Sequence, residues 1–575
     1  MCKLRIMTDQ AAELGDSSGV GRSHFVALAG VLMSGLCVVY FCLMDRVGVS
    51  TVQLSPIFRF LLMTYDYRTA WLQFVLVCIA AVLIRPYSPF RPAQVLGERP
   101  VLTAVAVTIL LSLGTIFVYR SHPLSMDEYA AVFQAKTFSA GRVYAQLPPR
   151  YYDWLMVSGF QGEFFIGSRE TGHVIEAYWP GFSLILAVFE FIRLPWLCNP
   201  VLAAASLLLI HRITAEVTGD KSAAGWSVLF ALASGAFVGN AISFYSMQAH
   251  LTLNLVFAYL LLRPSTARAL GAGLAGSLAL VLHNPMPHAV FAAPWLIWMM
   301  RKRETRLNIL PVVLGYAPGI AVGFVWLMLR SDIVSGTHDF SALPETVRGA
   351  FTWPNWAVFN IRLASVAKLS VWGCPCVFVF AAMGLIARRA DHRIRLLGLS
   401  AALTFIAYLF VTFDQGHGWG YRYFHSAWGV IPILAGCAMA GSSLPHPRLL
   451  SFAGAMAVLG LVVIVPLQLY QIHEVVSRQI SMIGAPRRPG NNVYFIHPRG
   501  GFYAADAVQI DPLLRDSDLK LVSRGSETDD AFVMIHWPNA VKIAAEPVYD
   551  QWYLGPQDLR MIAPNCGFAR CFVLE

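Results

Sequence analysis

Long apolar runs separated by short polar breaks fill the chain as far as Tyr470. Runs of about 20 residues, the length that crosses a hydrocarbon core, begin near Phe25, Ala70, Val101, Ser222, Ile309, Ala367, Leu396 and Ser451. Shorter or proline-interrupted runs cover Gly181 to Ile210, His250 to Leu262, Leu270 to Leu282, Ala289 to Met300 and Trp428 to Met439. Together they predict about 12 transmembrane helices, the interrupted ones tilted, paired or re-entrant. After Tyr470 the pattern changes. Turn signals at Pro486 to Asn492 and Pro498 to Gly501 separate short β-like runs, Asn492 to Ile496, Leu519 to Ser523 and Ala531 to Ile535. The expected fold is an all-α polytopic membrane domain over residues 25–469, preceded by a polar tail, 1–24, and followed by a small soluble α/β domain, 470–575. No internal repeat stands out.

Composition supports this division. Of 575 residues, 57% are hydrophobic and 13% charged, with mean hydropathy +0.57. A soluble chain carries roughly 25% charged residues. The net charge of +10 is read as cytoplasmic loop marking, not nucleic-acid binding. The first apolar run is long enough to span and stay, and no cleavable signal peptide is evident. No phosphate-binding P-loop, dinucleotide fingerprint or nucleophile elbow is found, which argues against ATP-driven transport.

Basic clusters orient the chain. Arg301 to Arg306 and Arg388 to Arg395 are placed in the cytoplasm, as is the loop of Arg85, Arg91 and Arg99. The loop after the third run, residues 120–180, then falls outside, with Asp414 to His425 and everything after Tyr470. Parity fails once unless Gly181 to Ile210 crosses only once or contains a re-entrant turn. Seven of the ten cysteines lie in apolar runs and read as buried thiols. Cys566 and Cys571 lie in the polar tail, either bridged or free.

The candidate chemistry sits on the external side. Ser125-Met126-Asp127-Glu128-Tyr129 opens a polar-aromatic loop of roughly 60 residues, far longer than most connections. Asp127 and Glu128 can supply a general base or hold a divalent metal. They also suit the N-terminus of a helix over Tyr129 to Phe138. A second cluster runs from Asp414 to His425 and includes His417, Gly418, Trp419, Gly420, Tyr421, Arg422 and Tyr423. Its glycines allow close backbone approach, and Arg422 is a permanent forked cation suited to phosphate. A third set is His250, His283 and His288, reasonable as substrate-contacting donors and poor as metal ligands.

These motifs resemble the polytopic GT-C glycosyltransferases that use polyprenyl-phosphate sugars, the group of protein O-mannosyltransferases and the lipid A aminoarabinose transferase. The resemblance rests on Asp127-Glu128-Tyr129 with Ala130 to Ala135, on Trp179-Pro180-Gly181, and on Gly418-Trp419-Gly420-Tyr421-Arg422-Tyr423. The acidic loop follows the third apolar run, not the first, so two extra N-terminal helices are implied. Where some members carry a second external acid, this chain has His250. The resemblance implies transfer of a sugar from a polyprenyl-phosphate donor to a lipid, polysaccharide or protein acceptor. Asp127 and Glu128 would be catalytic. Arg422, Tyr421, Tyr423, Trp419, His417, His250 and His283 would bind the donor phosphate or sugar. No metal or other cofactor is expected, a divalent ion at Asp127 and Glu128 being the disfavoured option. The expected location is a bacterial inner membrane, with the active site and C-terminal domain on the periplasmic face. The competing expectation is a lipid or polysaccharide transporter.

Overall fold

A computed structural model describes residues 2–47, 54–83, 91–335, 351–411, 416–440, 447–484, 487–488, 490–516 and 518–555. Cys566 and Cys571 lie outside them, as do Asp414 and Gln415. The chain is mainly helical, with a small sheet domain at its C-terminal end. Among the described residues, seven helices are long and apolar enough to cross a membrane, and up to nine spans result if two bent helix pairs each count as one. That count leaves out shorter apolar helices that also run between the two ends of the bundle. The reason is length: several runs fold as helices of 15 or 16 residues, such as Met247–Leu261, Thr266–Leu280 and Met286–Arg301.

The spans run in order as α1 (Cys2–Val47), α2 (Pro56–Leu83, which includes a π-helical turn at Leu62–Asp66) and, after α3 (Arg91–Glu98), α4 (Pro100–Phe117). The helix α5 (Met126–Ser139) and the short α6 (Gly181–Phe191) flank the long loop. Next come α7 (Cys198–Thr218) and the bent pair α8 (Lys221–Leu232) and α9 (Gly235–Ala241). Four further helices follow, α10 (Met247–Leu261), α11 (Thr266–Leu280), α12 (Met286–Arg301) and α13 (Ile309–Ser335). A second bent pair is α14 (Trp356–Trp372) and α15 (Val377–Ala387), and α16 (His392–Ala407), α17 (Val430–Ala438) and α18 (Pro447–Ser481) complete the bundle. Because α18 continues to Ser481, the boundary drawn at residue 470 falls inside a helix.

The basic loops gather at one end of the bundle. Arg388 donates to the Val217 carbonyl at 3.4 Å, and Arg393 to the Glu216 carbonyl at 3.4 Å. His392 stacks on Trp298 at 5.0 Å, and His211 meets the Gly97 carbonyl at 2.9 Å. The Asp127 loop, His283, Arg422 and the C-terminal domain meet at the other end. Helix α6 resolves the parity defect. It starts beside Val281 and Leu282, and its Glu190 lies near Lys136 and Arg515. Both its ends therefore lie at the site end, and Leu184, Val188 and Phe191 are exposed along it. It lies against α5 and does not cross.

The long loop is ordered. Its strands β1 (Ala145–Gln146), β2 (Phe165–Gly167) and β3 (His173–Glu176) pair in the order β1-β3-β2. In the tight hairpin that follows α16, β4 (His417–Gly418) pairs with β5 (Gly420–Tyr421). The C-terminal sheet has the order β7-β6-β9-β8, from β6 (Asn491–Ile496), β7 (Asp518–Val522), β8 (Val541–Ala545) and β9 (Tyr549–Gly555). Strands β6 and β7 are parallel, and β9 is antiparallel to both β6 and β8. The expected strand over Ala531 to Ile535 is instead part of the helix α19 (Ser526–His536). Its acids at Glu527 and Asp529 suit a helix N-terminus. Its buried side chains, Asp529, Phe532 and Val533, recur at helical spacing. The loop and the domain share one core. Trp154 packs on Phe532 at 4.5 Å and on Phe495 at 5.7 Å, and Tyr151 packs on Phe532 at 5.7 Å. Burial of such rings contributes about 1.5–3 kcal/mol each, which is why the loop holds a fixed course.

Candidate active site

Helix α5 begins at the carboxylate pair. Ser125 is its N-cap residue, with extended backbone, and Glu128 stands at the third helical position, the spacing of a capping box. Glu128 is fully buried and takes four donors. Oε1 accepts from the Tyr119 hydroxyl and the Phe244 amide, both at 2.8 Å. Oε2 accepts from the amides of Leu124 at 2.8 Å and Ser125 at 3.3 Å. Burial is the largest influence and lifts the Glu128 carboxyl to about 7, against these hydrogen bonds. The Ser125 hydroxyl turns instead to the Tyr245 hydroxyl, at 3.0 Å.

Asp127 points the other way, into a cavity of about 1010 Å³. Its Oδ2 accepts from Arg422 Nη1 at 3.1 Å. Its Oδ1 accepts a short hydrogen bond from the Tyr178 hydroxyl. The side chains are 17% exposed for Asp127 and 5% for Arg422. Burial alone would raise the Asp127 carboxyl. The Arg422 charge, the Tyr178 hydroxyl and His283 outweigh it and hold the group below its ordinary range. Asp127 is therefore an ionised carboxylate at neutral pH. Arg422 also lies over the Tyr245 ring at 4.3 Å, a cation–π contact.

Two backbone devices set this geometry. Trp179, Gly181 and Phe182 donate their amides to the carbonyls of His283, Val281 and Leu282, at 3.3, 2.6 and 3.2 Å. The pairing brings the Tyr178 and His283 rings within 3.9 Å of each other. Gly420 has φ +79, and a Cβ there would meet that of Ala236 at 2.7 Å. Only glycine fits this turn, which closes the β4–β5 hairpin and delivers Arg422.

The cavity has two characters. Its polar end holds Asp127, Tyr178, Tyr245, His283, Arg422 and Tyr423. Met247, Met286, Val290, Phe351, Phe410 and Val411 give the rest apolar walls, and Tyr423 stacks on Tyr408 at 4.6 Å. A ligand with a charged head and a long apolar body matches that division.

No protein-family model and no curated protein matches this sequence. Solved structures similar to the chain include two of one protein. One is the crystal structure of ArnT from Cupriavidus metallidurans bound to undecaprenyl phosphate, with 13% identity and a TM-score of 0.49 over 79% of this chain and 97% of that one. The other is ArnT from the same organism in the apo state, with 13% identity and a TM-score of 0.45 over 79% of this chain and 98% of that one. At that identity the likeness says nothing about substrate.

The site gathers only some of the residues named from the sequence. Asp127, Arg422, Tyr423 and His283 line the cavity, while Glu128, Trp419, His417, Tyr421 and His250 do not. Trp419 donates to the Tyr119 hydroxyl at 3.0 Å and so extends the Glu128 network. His417 is fully buried, with Nε2 3.3 Å from the Ser365 hydroxyl. Tyr421 is buried in an aromatic group with Phe405 and Tyr408. His250 is fully buried, and neither ring nitrogen has a hydrogen-bond partner among the described residues. His288 is a core histidine held by Asn254 and Tyr316, both at 2.7 Å. A metal shared by Asp127 and Glu128 does not fit this geometry. The two carboxylates turn apart, and the oxygens of Glu128 are occupied by protein donors. Tyr178 and Tyr245 belong to the site yet were not singled out from the sequence. The signal available was their position beside Trp179-Pro180-Gly181 and Met247 to His250 at the membrane edge.

Proposed function

We propose that this protein is an integral-membrane glycosyltransferase of the GT-C kind, moving a sugar from a polyprenyl-phosphate donor to an acceptor. One observation carries this reading: an ionised Asp127 paired with Arg422 at the polar end of a cavity whose remaining walls are mostly apolar. The apolar walls suit a polyprenyl chain, and the polar end suits its phosphate-linked sugar.

The acceptor's hydroxyl or amine attacks the anomeric carbon with inversion. The bond from that carbon to the phosphate oxygen breaks, and the polyprenyl phosphate leaves with the bonding electrons. Asp127 takes the acceptor's proton. Arg422 meets the charge that grows on the departing phosphate. Tyr178 and Tyr245 hold these two groups in place, and Glu128 secures the start of α5. A phosphate is a good leaving group, so no strong acid is required. Basic loops favour the cytoplasmic side, which supports a site and C-terminal domain on the external, periplasmic face of a bacterial inner membrane. The acceptor is a lipid, a polysaccharide or a protein at that face.

The test is incubation of purified protein with a panel of radiolabelled polyprenyl-phosphate sugars, scored by release of polyprenyl phosphate. Release with at least one donor, lost in Asp127→Asn, is expected. Movement of labelled lipid across liposomes with no cleavage of any donor would replace this reading with a transporter.

A further inference from the structure

The C-terminal domain reaches the start of the helix that carries Asp127. Three contacts made by residues 506–510 converge there. The Asp506 side chain lies at the Met126 amide, one residue before Asp127. Gln509 Nε2 donates to the Pro123 carbonyl at 2.9 Å. The Tyr129 hydroxyl, two residues after Asp127, both donates to the Ile510 carbonyl at 2.6 Å and accepts from the Ile510 amide at 2.7 Å. These contacts cross more than 370 positions of sequence, from the membrane-edge helix to the domain after the last span.

The need for outside support is visible locally. The first amides of a helix have no intrahelical partner, and a capping serine ordinarily serves one of them. Here the Ser125 hydroxyl faces Tyr245, whose ring carries Arg422. Asp506 comes from the C-terminal domain to the Met126 amide, the first of the helix, which the Ser125–Glu128 capping box does not reach. Tyr129 is held from its other side by the rings of Phe133 and Phe165, at 6.0 and 5.8 Å. Its hydroxyl is therefore aimed at Ile510 and cannot swing away.

We propose that Asp506, Gln509 and Ile510 are positioning residues of the active site: they clamp Pro123, Met126 and Tyr129 and so hold Asp127 toward the cavity. The domain after the last span is then part of the catalytic apparatus. The consequence for rate rests on the transferase reading above, but the clamp itself does not. A displacement of about 1 Å in a reacting group costs up to 100-fold in rate.

The full-length protein in detergent provides two independent measurements. The first is hydrogen–deuterium exchange of the peptide covering residues 123–133 in Asp506→Ala, Gln509→Ala and Tyr129→Phe. Each change removes one side of a contact between the domain and the helix start, so exchange there is expected to rise about tenfold, with exchange of the spans unchanged. The second is the kcat and donor KM of the same variants. A fall in kcat of about 10- to 100-fold at constant donor KM is expected. Asp506→Asn keeps an acceptor oxygen for the Met126 amide and should restore most of the loss. Unchanged exchange over residues 123–133 in all three variants overturns the clamp. So does a rise spread evenly over the protein, which would mark general destabilisation. Should the wild type transfer no sugar from any donor, the transferase reading fails and the exchange measurement alone decides the clamp.

Discussion

Asp127→Asn separates the two roles assigned to the ion pair. Asparagine keeps the size and leaves an oxygen for the Tyr178 hydroxyl, but it removes the charge facing Arg422. Loss of a general base costs about 100- to 10,000-fold in turnover. Donor binding should move the other way. In the wild type the donor's phosphate must share Arg422 with Asp127, which sits at 3.1 Å. In the variant Arg422 remains charged and 5% exposed, with that carboxylate gone. A recovered charge-assisted hydrogen bond is worth about 1.5–3 kcal/mol, so donor affinity should rise by about 10- to 100-fold. Without donor, the protein should be less stable. Removing one partner of a fully buried pair costs about 3–5 kcal/mol, and less is expected here because Asp127 is 17% exposed. Single-turnover transfer from a radiolabelled polyprenyl-phosphate sugar, equilibrium binding of the same donor and thermal unfolding measure the three effects. Turnover within about tenfold of wild type, or a weaker donor affinity, would refute the assignment.

Arg422→Ala should lose both donor affinity and turnover, about 10- to 100-fold in affinity for one charge-assisted contact, read from the same binding and transfer assays. Glu128→Gln should leave kcat close to wild type in the folded fraction while lowering the unfolding temperature, because an amide turns two donors toward protein donors. The Glu128 carboxyl stands at about 7 in the fold against an ordinary 4.5, so its stabilising contribution is full below 4.5 and is lost as pH rises through 7; unfolding midpoints of wild type should fall across that window more than those of Glu128→Gln. Lys368→Met leaves Asp66 buried without its partner, now at 2.7 Å inside the bundle, and should cost about 3–5 kcal/mol of stability, seen as a lower midpoint in a thermal-shift assay.

The membrane architecture was legible because hydropathy acts over whole segments. Two classes of feature were not. Run length alone does not say which 15-residue apolar stretches cross, because such a run reads the same whether it crosses alone or packs within a bundle. The strand expected over Ala531 to Ile535 is a helix because its apolar residues gave no clean period over so short a stretch. In the site, Asp127 and Arg422 were found because a charge at a membrane edge is costly and conspicuous. Glu128 looks identical to Asp127 in sequence, and only the donors of Tyr119 and Phe244 separate their roles. His417, Trp419 and Tyr421 share a motif with Arg422, yet the β4–β5 hairpin turns them into the core and leaves Arg422 and Tyr423 at the cavity. Asp506 carries no local signal, because its partner is a backbone amide in a distant segment.

A carboxylate held ionised by a neighbouring guanidinium is a weak proton acceptor, and the pair itself offers the remedy. At 3.1 Å and an effective dielectric of about 20, its Coulomb energy is about 5 kcal/mol. On the proposed reaction the donor's phosphate draws Arg422 toward itself. Doubling the separation halves that energy, a loss of about 2.7 kcal/mol, which makes Asp127 roughly a hundredfold stronger base. The base then strengthens only when a donor is present to react. This has a kinetic signature. The acid limb of kcat/KM for the donor reports the free enzyme, and that of kcat reports the donor complex. The limb of kcat should lie about two pH units above that of kcat/KM. In Arg422→Lys the two limbs should draw together, because a single ammonium cannot serve both anions with a fork. Coincident limbs in the wild type would show that Arg422 keeps its hold on Asp127 through the reaction, and the carboxylate would then serve to position the acceptor without taking its proton.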